Sequence, residues 1–345
     1  MKAVLLEGER NISFTEVEVP KCRTGEVLVE VKACGICRTD MKCYTMGQRD
    51  LSLPRILGHE ITGVVAEAGE GVEKVSEGDR VQVHPGITCG KCSYCRRGWD
   101  NLCEHLSLMG FNYDGGFAEY VLVPAAGVEN GILQVIPEGL TLEEATFTEP
   151  VACCINMQEA LEVGAGDTVL VLGGGRFGIL NAKLAVSRGA GRVILVEPDT
   201  ERARLAESYP FDCCINPGHK DSLRKIKEVA GSGGVDVAVL CCPEGEAVEL
   251  GVQALAKKGR FGYFSGLVYG NVPVPQLNLV HYRELRVSGS YGCSLQHSRE
   301  ALKLIAEGET GVNDLITRTL GLSEVERGLS LAASRAELSI VVTNH

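Results

Sequence analysis

The sequence predicts an α/β chain built in two parts: a bent, partly closed β lobe, then a doubly wound parallel sheet with helices on both faces. Three observations carry this expectation. Apolar and polar residues alternate at period two through the first part. Glycines punctuate those strands. From about residue 155 onward, strands begin to alternate with helical stretches.

In the first part, GEVLVEVKACGIC (25–37), ITGVVAEAGEGV (61–72) and DRVQVHP (79–85) read as strands, with breaks at Gly47, Gly58, Gly63, Gly69, Gly71 and Gly78. DTVLVLGGG (167–175) is then a buried strand ending in glycines, followed by the helical spacing of RFGILNAKLAVSRGA (176–190). RVILVEPD, FDCCIN, VDVAVLCC, RFGYFSG and LRVSGSYG read as further strands. TERARLAESY, SLRKIKEVAG and AVELGVQALAKKG read as the helices among them. SREALKLIAEG returns to helix, and LSIVVTN closes on an apolar strand.

Length and charge bound the rest. A chain of 345 residues exceeds the roughly 250–300 at which one core stops growing, so two domains are expected. The net charge of −11 offers nothing to a phosphate backbone or an anionic membrane, so neither nucleic acid nor membrane is an expected partner. No apolar run approaches the ~20 residues of a membrane span. MKAVLLEGER is charged too early to read as a secretory signal. With no export signal, the 15 cysteines point to a reducing, cytoplasmic setting. The adjacent pairs Cys153–Cys154, Cys213–Cys214 and Cys241–Cys242 read as small buried hydrophobes.

Gly173, Gly175 and Gly178 stand as G-x-G-x-x-G between a strand and a helix, with Arg176 and Phe177 in the variable positions. The first glycine permits a tight turn, the second lets backbone approach a pyrophosphate, and the third lets helix and strand pack closely. Glu197 ends the next strand, where a carboxylate can hold an adenosine ribose 2′-hydroxyl. That favours NAD, because a 2′-phosphate would meet its charge. Arg202 and Arg204 nearby keep NADP open.

Cys89, Cys92, Cys95 and Cys103 form C-x2-C-x2-C-x7-C, a spacing that suits four thiolates around one structural zinc. Lys91, Arg96 and Arg97 lie in the same loop to offset the charge. Disulfides are the alternative, opposed by the reducing setting. Cys37, His59, Glu60 and Glu149 are a dispersed set of mixed ligands, the kind that leaves zinc open to substrate, although spacing alone does not join them.

GHEITGVVAEAGEGV (58–72) resembles the zinc signature of the medium-chain alcohol dehydrogenases, and the glycine turn and four-cysteine lobe sit where that family has them. Glu149–Pro150 is similar to the polyol (sorbitol) dehydrogenase branch. The resemblance spans essentially the whole chain. It implies a GroES-like catalytic domain over 1–152 with the structural zinc lobe, a Rossmann NAD-binding domain over 153–293, and a return to the catalytic domain over 294–345. It implies two zincs per chain. Cys37, His59 and Glu60 would ligate the catalytic one, with Glu149 a direct or water-linked ligand. Thr39 would relay the proton and Asp40 would orient His59. Lys42 stands where many relatives end the relay with histidine. Tyr44 and Phe111 are candidates to line the cleft or simply to pack. The implied activity is NAD-dependent interconversion of a secondary alcohol, such as a polyol or cyclitol, and its ketone by a homodimer or homotetramer. A threonine-type amino-alcohol dehydrogenase and a non-catalytic dinucleotide-binding protein are the rivals.

Overall fold

The structure is a computed structural model that describes residues 1–48, 51–217, 221–231, 233–266 and 277–344. The chain divides into two compact units, one formed by Met1–Ala152 with Cys293–His345 and the other by Cys153–Gly292.

The second unit holds a six-stranded parallel sheet. In chain order its strands are β1 Thr168–Leu172, β2 Arg192–Val196, β3 Cys213–Ile215, β4 Val235–Leu240, β5 Leu255–Tyr263 and β6 Arg286–Gly289. They lie side by side as β3-β2-β1-β4-β5-β6. The short apolar runs follow from burial on both faces. Leu170 and Leu172 join one hydrophobic cluster while Val169 and Val171 join another, as period-two side chains must when helices cover both faces. Strand order reverses between β1 and β4, and the crevice at such a switch point is where α/β sheets receive ligands.

The first unit is mainly antiparallel. Its largest sheet has seven strands and centres on Val27–Gly35, which pairs with Glu60–Ala68, Tyr120–Val123 and Ser339–Thr343. Register shifts at Leu28/Val29 and Val31/Ala33 bend that central strand, which curls the sheet toward a barrel. Phe117, Ile61 and Leu57 are wholly buried in its core.

Two local expectations differ from the structure. The helix read over AVELGVQALAKKG runs only from Gly245 to Ala254, and β5 begins at Leu255. Leu255 pairs with Val235 and is 1% exposed, so ladder bonding and burial outweigh the helical spacing of the following lysines. Lys258 at φ 66° then breaks any helical continuation. The strand read over 25–37 ends at Gly35, because Cys37 caps the helix Arg38–Met46.

Candidate active site

Cys37 opens its helix as an N-cap. Its sulfur accepts from the Thr39 N–H at 3.5 Å, while the Asp40 carboxylate accepts from the Cys37 N–H at 2.8 Å. This capping box fixes the cysteine and, through Asp40, the histidine. Asp40 is wholly buried, and its other oxygen lies 3.2 Å from His59 Nδ1 and accepts from the Gly58 N–H at 3.3 Å. With Nδ1 held there, Nε2 is the His59 atom left to face a metal.

Glycines make the room for this arrangement. Gly58 has φ 92°, and a Cβ there would stand 2.8 Å from Cys34 Sγ and 2.9 Å from the Phe117 ring. Gly35 faces Glu60 across the ladder, and a Cβ there would fall 2.0 Å from Glu60 Oε2. Gly35 carries no assigned role in the sequence motifs. The signal was available, since a glycine inside a strand marks a close approach.

The ligand atoms of Cys37, His59 and Glu60 all lie within 4.8 Å of one another and all three residues are buried. Burial works against an imidazolium, yet Asp40 and then Cys37 outweigh it and hold His59 well above its ordinary pKa. A buried place that draws a proton so strongly is rich in negative donors, which is the electrostatic condition for a cation. One thiolate, one imidazole and one carboxylate suit zinc and leave a fourth position open.

Glu149 is not gathered into this trio. It is buried in the first turn of the helix Thr148–Ala160, where its carboxylate and the Cys293 sulfur fall within 4.8 Å of each other. Thr39 is half-buried with its hydroxyl 3.5 Å from the Cys37 sulfur. Lys42 is exposed on the same helix. Phe111 is buried with its ring 5.5 Å from that of His59. Tyr44 donates its hydroxyl to Glu326 at 2.9 Å.

The four cysteines of the lobe converge independently. Their sulfurs lie within 4.8 Å of one another, with Cys92 at 3.5 Å from Cys95 and 4.0 Å from Cys103. Tetrahedral zinc with bonds of about 2.3 Å separates its sulfurs by about 3.8 Å, so the spacing fits. Backbone N–H groups serve the sulfurs: Cys89 N–H reaches Cys103, Cys92 N–H reaches Cys89, and His105 N–H reaches Cys103, at 3.3, 3.4 and 3.3 Å. Such donors, chiefly from Cys95 and Glu104, bring Cys92 down to about 6, whereas burial pushes Cys95 up to about 12.

In the second unit, the glycine turn follows β1. Gly173 has φ 105°, and a Cβ there would stand 2.9 Å from Cys242 Cβ. A Cβ at Gly178 would fall 1.9 Å from the Gly173 carbonyl oxygen, so only glycine lets the helix Arg176–Ser187 start so close to the strand. Gly175 caps that helix with open space where its side chain would be, leaving the helix N-terminus free for a phosphate. Glu197 is 4% exposed; one oxygen accepts from the Gly174 N–H at 2.7 Å and the other from the Asp199 N–H at 2.9 Å. Gly174 and Asp199, neither singled out in the sequence, thus hold the carboxylate beside the turn. Asp199 also caps the next helix by accepting from the Arg202 N–H at 3.0 Å. The Arg176 guanidinium lies 4.9 Å from the Phe177 ring.

Comparison with known proteins agrees with this geometry. The alcohol dehydrogenase GroES-like domain family matches residues 23–132, and the zinc-binding dehydrogenase family matches residues 177–307. An L-threonine 3-dehydrogenase of Pyrococcus furiosus is 34% identical over 94% of this chain and 92% of its own length. An erythritol/L-threitol dehydrogenase of Mycolicibacterium smegmatis is 30% identical over 98% of this chain and 95% of its own. A crystal structure described as a zinc-binding dehydrogenase from Sinorhizobium meliloti, bound to NADP, superposes with a TM-score of 0.92 at 36% identity, covering 99% of each chain.

Proposed function

Because the chain belongs to the zinc-dependent medium-chain alcohol dehydrogenase family, we propose that it oxidises a secondary alcohol bearing a hydroxyl on the neighbouring carbon, with NAD as its coenzyme. The observation that carries this reading is the buried convergence of Cys37, His59 and Glu60, with His59 held from behind by Asp40.

A zinc held by that trio would lower the pKa of a substrate hydroxyl, and the nicotinamide would accept the hydride. The chain's own residues do the rest. Asp40 fixes the tautomer and aim of His59. Thr39, beside the cysteine sulfur, takes the proton leaving the substrate hydroxyl. Lys42 is exposed, so the proton passes from Thr39 to solvent without a histidine. Phe111 packs on the His59 ring and keeps water from that side of the ligand.

Glu149 is assigned to the substrate or to a water. A thiolate and a carboxylate already balance a divalent metal. A second carboxylate in the same buried place would add an uncompensated charge. Glu197 selects the coenzyme: its fixed carboxylate suits a ribose 2′-hydroxyl and repels a 2′-phosphate. The four-cysteine lobe is assigned a structural zinc. A cytoplasmic setting and a homodimer or homotetramer are the location and assembly we assign.

A second reading has a specific basis, the greater identity to the threonine dehydrogenase than to the tetritol enzyme. Threonine and the tetritols both place the reacting carbinol beside a carbon carrying a polar group, an amine in one case and a hydroxyl in the other. The test is a panel of vicinal diols, polyols, cyclitols and 2-amino alcohols with NAD, followed by NADH absorbance. Turnover of vicinal diols or polyols ahead of threonine supports the proposal. Preference for threonine selects the second reading. No NADH from any of them with zinc-loaded protein would sink both.

A further inference from the structure

We propose that the first unit carries an anion-binding groove, fitted to a small phosphate monoester, that is separate from the zinc and coenzyme sites. The groove is open to solvent and offers about 720 Å3 between the strand Leu133–Val135 and the helix Leu295–Ala306. That volume suits a metabolite-sized ligand.

The groove is held open by a buried contact. Gln134 is 8% exposed, and its amide donates to Ser298 Oγ at 2.7 Å and to Gln82 Oε1 at 3.0 Å. Helix and strand are therefore pinned at one fixed spacing, because breaking this contact would strand polar groups in the core. The lining combines apolar Leu133, Pro137 and Leu302 with cationic Lys74, Arg299 and Lys303.

The charges decide the ligand class. Lys74, Arg299 and Lys303 line the groove and Glu307 is the one carboxylate among its lining residues, so the lining carries +2 in a chain whose net charge is −11. Glu307 lies 3.9 Å from Lys303. Arg299 has no ion-pair or hydrogen-bond partner among the described residues, while Lys74 donates only to the Glu129 backbone carbonyl, at 2.9 Å. Both cationic heads converge on Gly131. A Cβ there would lie 3.4 Å from Arg299 Nη2 and 3.6 Å from Lys74 Nζ. Two exposed cations brought to one residue without a side chain leave room for an anion to lie between them and meet both. A guanidinium offers paired N–H donors and the ammonium a point charge, which is how a phosphate dianion is held. The apolar wall beside it fits the organic part of an ester.

The experiment uses the full zinc-loaded protein with saturating NADH, which blocks the phosphate site of the glycine turn. Calorimetric titration with sn-glycerol 3-phosphate and phenyl phosphate, with inorganic phosphate alongside, reads the site. The expected result is saturable binding that weakens about tenfold or more in Arg299→Gln and in Lys74→Gln, and weakens with salt. Both residues are exposed, so these variants keep the fold, and unchanged thermal denaturation verifies it. Arg299→Lys should retain part of the affinity. Absence of binding, binding equal in the Arg299→Gln and wild-type proteins, or binding abolished by NADH overturns the proposal.

Discussion

Glu197 is the residue on which the proposed coenzyme choice turns. Its carboxylate is buried, oriented by two backbone N–H groups, and cannot swing aside without leaving both donors unpaired. Fixed negative charge at that place penalises a 2′-phosphate more than a flexible surface glutamate would. Glu197→Ala should narrow the ratio of kcat/KM for NAD over NADP by about tenfold or more, read from initial rates with each coenzyme. Equal kcat/KM for the two coenzymes in the unmodified protein would remove the role assigned to Glu197. His84 gives a second prediction at this scale. It is buried among the residues of the first unit, and burial, followed by His297 and Arg299, lowers its pKa to about 4. The unfolded chain would bind a proton near 6.5 while the folded chain does not until about 4. Stability is therefore intact above pH 6.5 and declines as pH falls toward 4, by roughly 3 kcal/mol in all. Denaturant titrations across that window should show the decline, and a His84→Gln variant should flatten it.

Elements explain both what the sequence made legible and what it hid. The glycine turn was readable because each glycine answers a steric demand of one local unit, strand, turn and helix. Gly178 is the sharpest instance, and Gly178→Ala should lower the thermal midpoint and weaken NADH binding together, because a Cβ placed 1.9 Å from a carbonyl oxygen forces helix and strand apart. Retained midpoint and retained NADH affinity would contradict that packing. The cysteine lobe was readable for the same reason, all four ligands being local in sequence. By contrast, the end of the helix at Ala254 depends on the pairing of Leu255 with Val235, twenty residues away, and periodicity cannot report such a partner. The role of Asp40 came through family resemblance, whereas Gly35 opposite Glu60 needed the strand register to become visible. Glu149 marks a limit: the sequence offers it as a direct or water-linked ligand without choosing, because the place of a helix first turn relative to a distant strand end is a tertiary fact. Among the described residues the group within 4.8 Å is Cys37, His59 and Glu60.

At the scale of the whole molecule, one chain offers two ligand sets to which the proposal gives different tasks. The lobe offers four sulfurs, so a zinc held there would have no open position and would contribute to folding. Cys95→Ser should lower the thermal midpoint before it alters turnover by the remaining folded protein. The trio offers three ligands, so a zinc held there would keep a position open for chemistry. Loss of Cys37 should leave the fold intact, since the capping aspartate and the surrounding core remain. The direct test of this division is zinc content per chain, measured by elemental analysis on wild-type and Cys37→Ser protein of equal thermal stability. The account predicts two zincs in the wild type and one in the variant. One zinc in both, or two in both, would contradict a separate catalytic zinc at Cys37, His59 and Glu60.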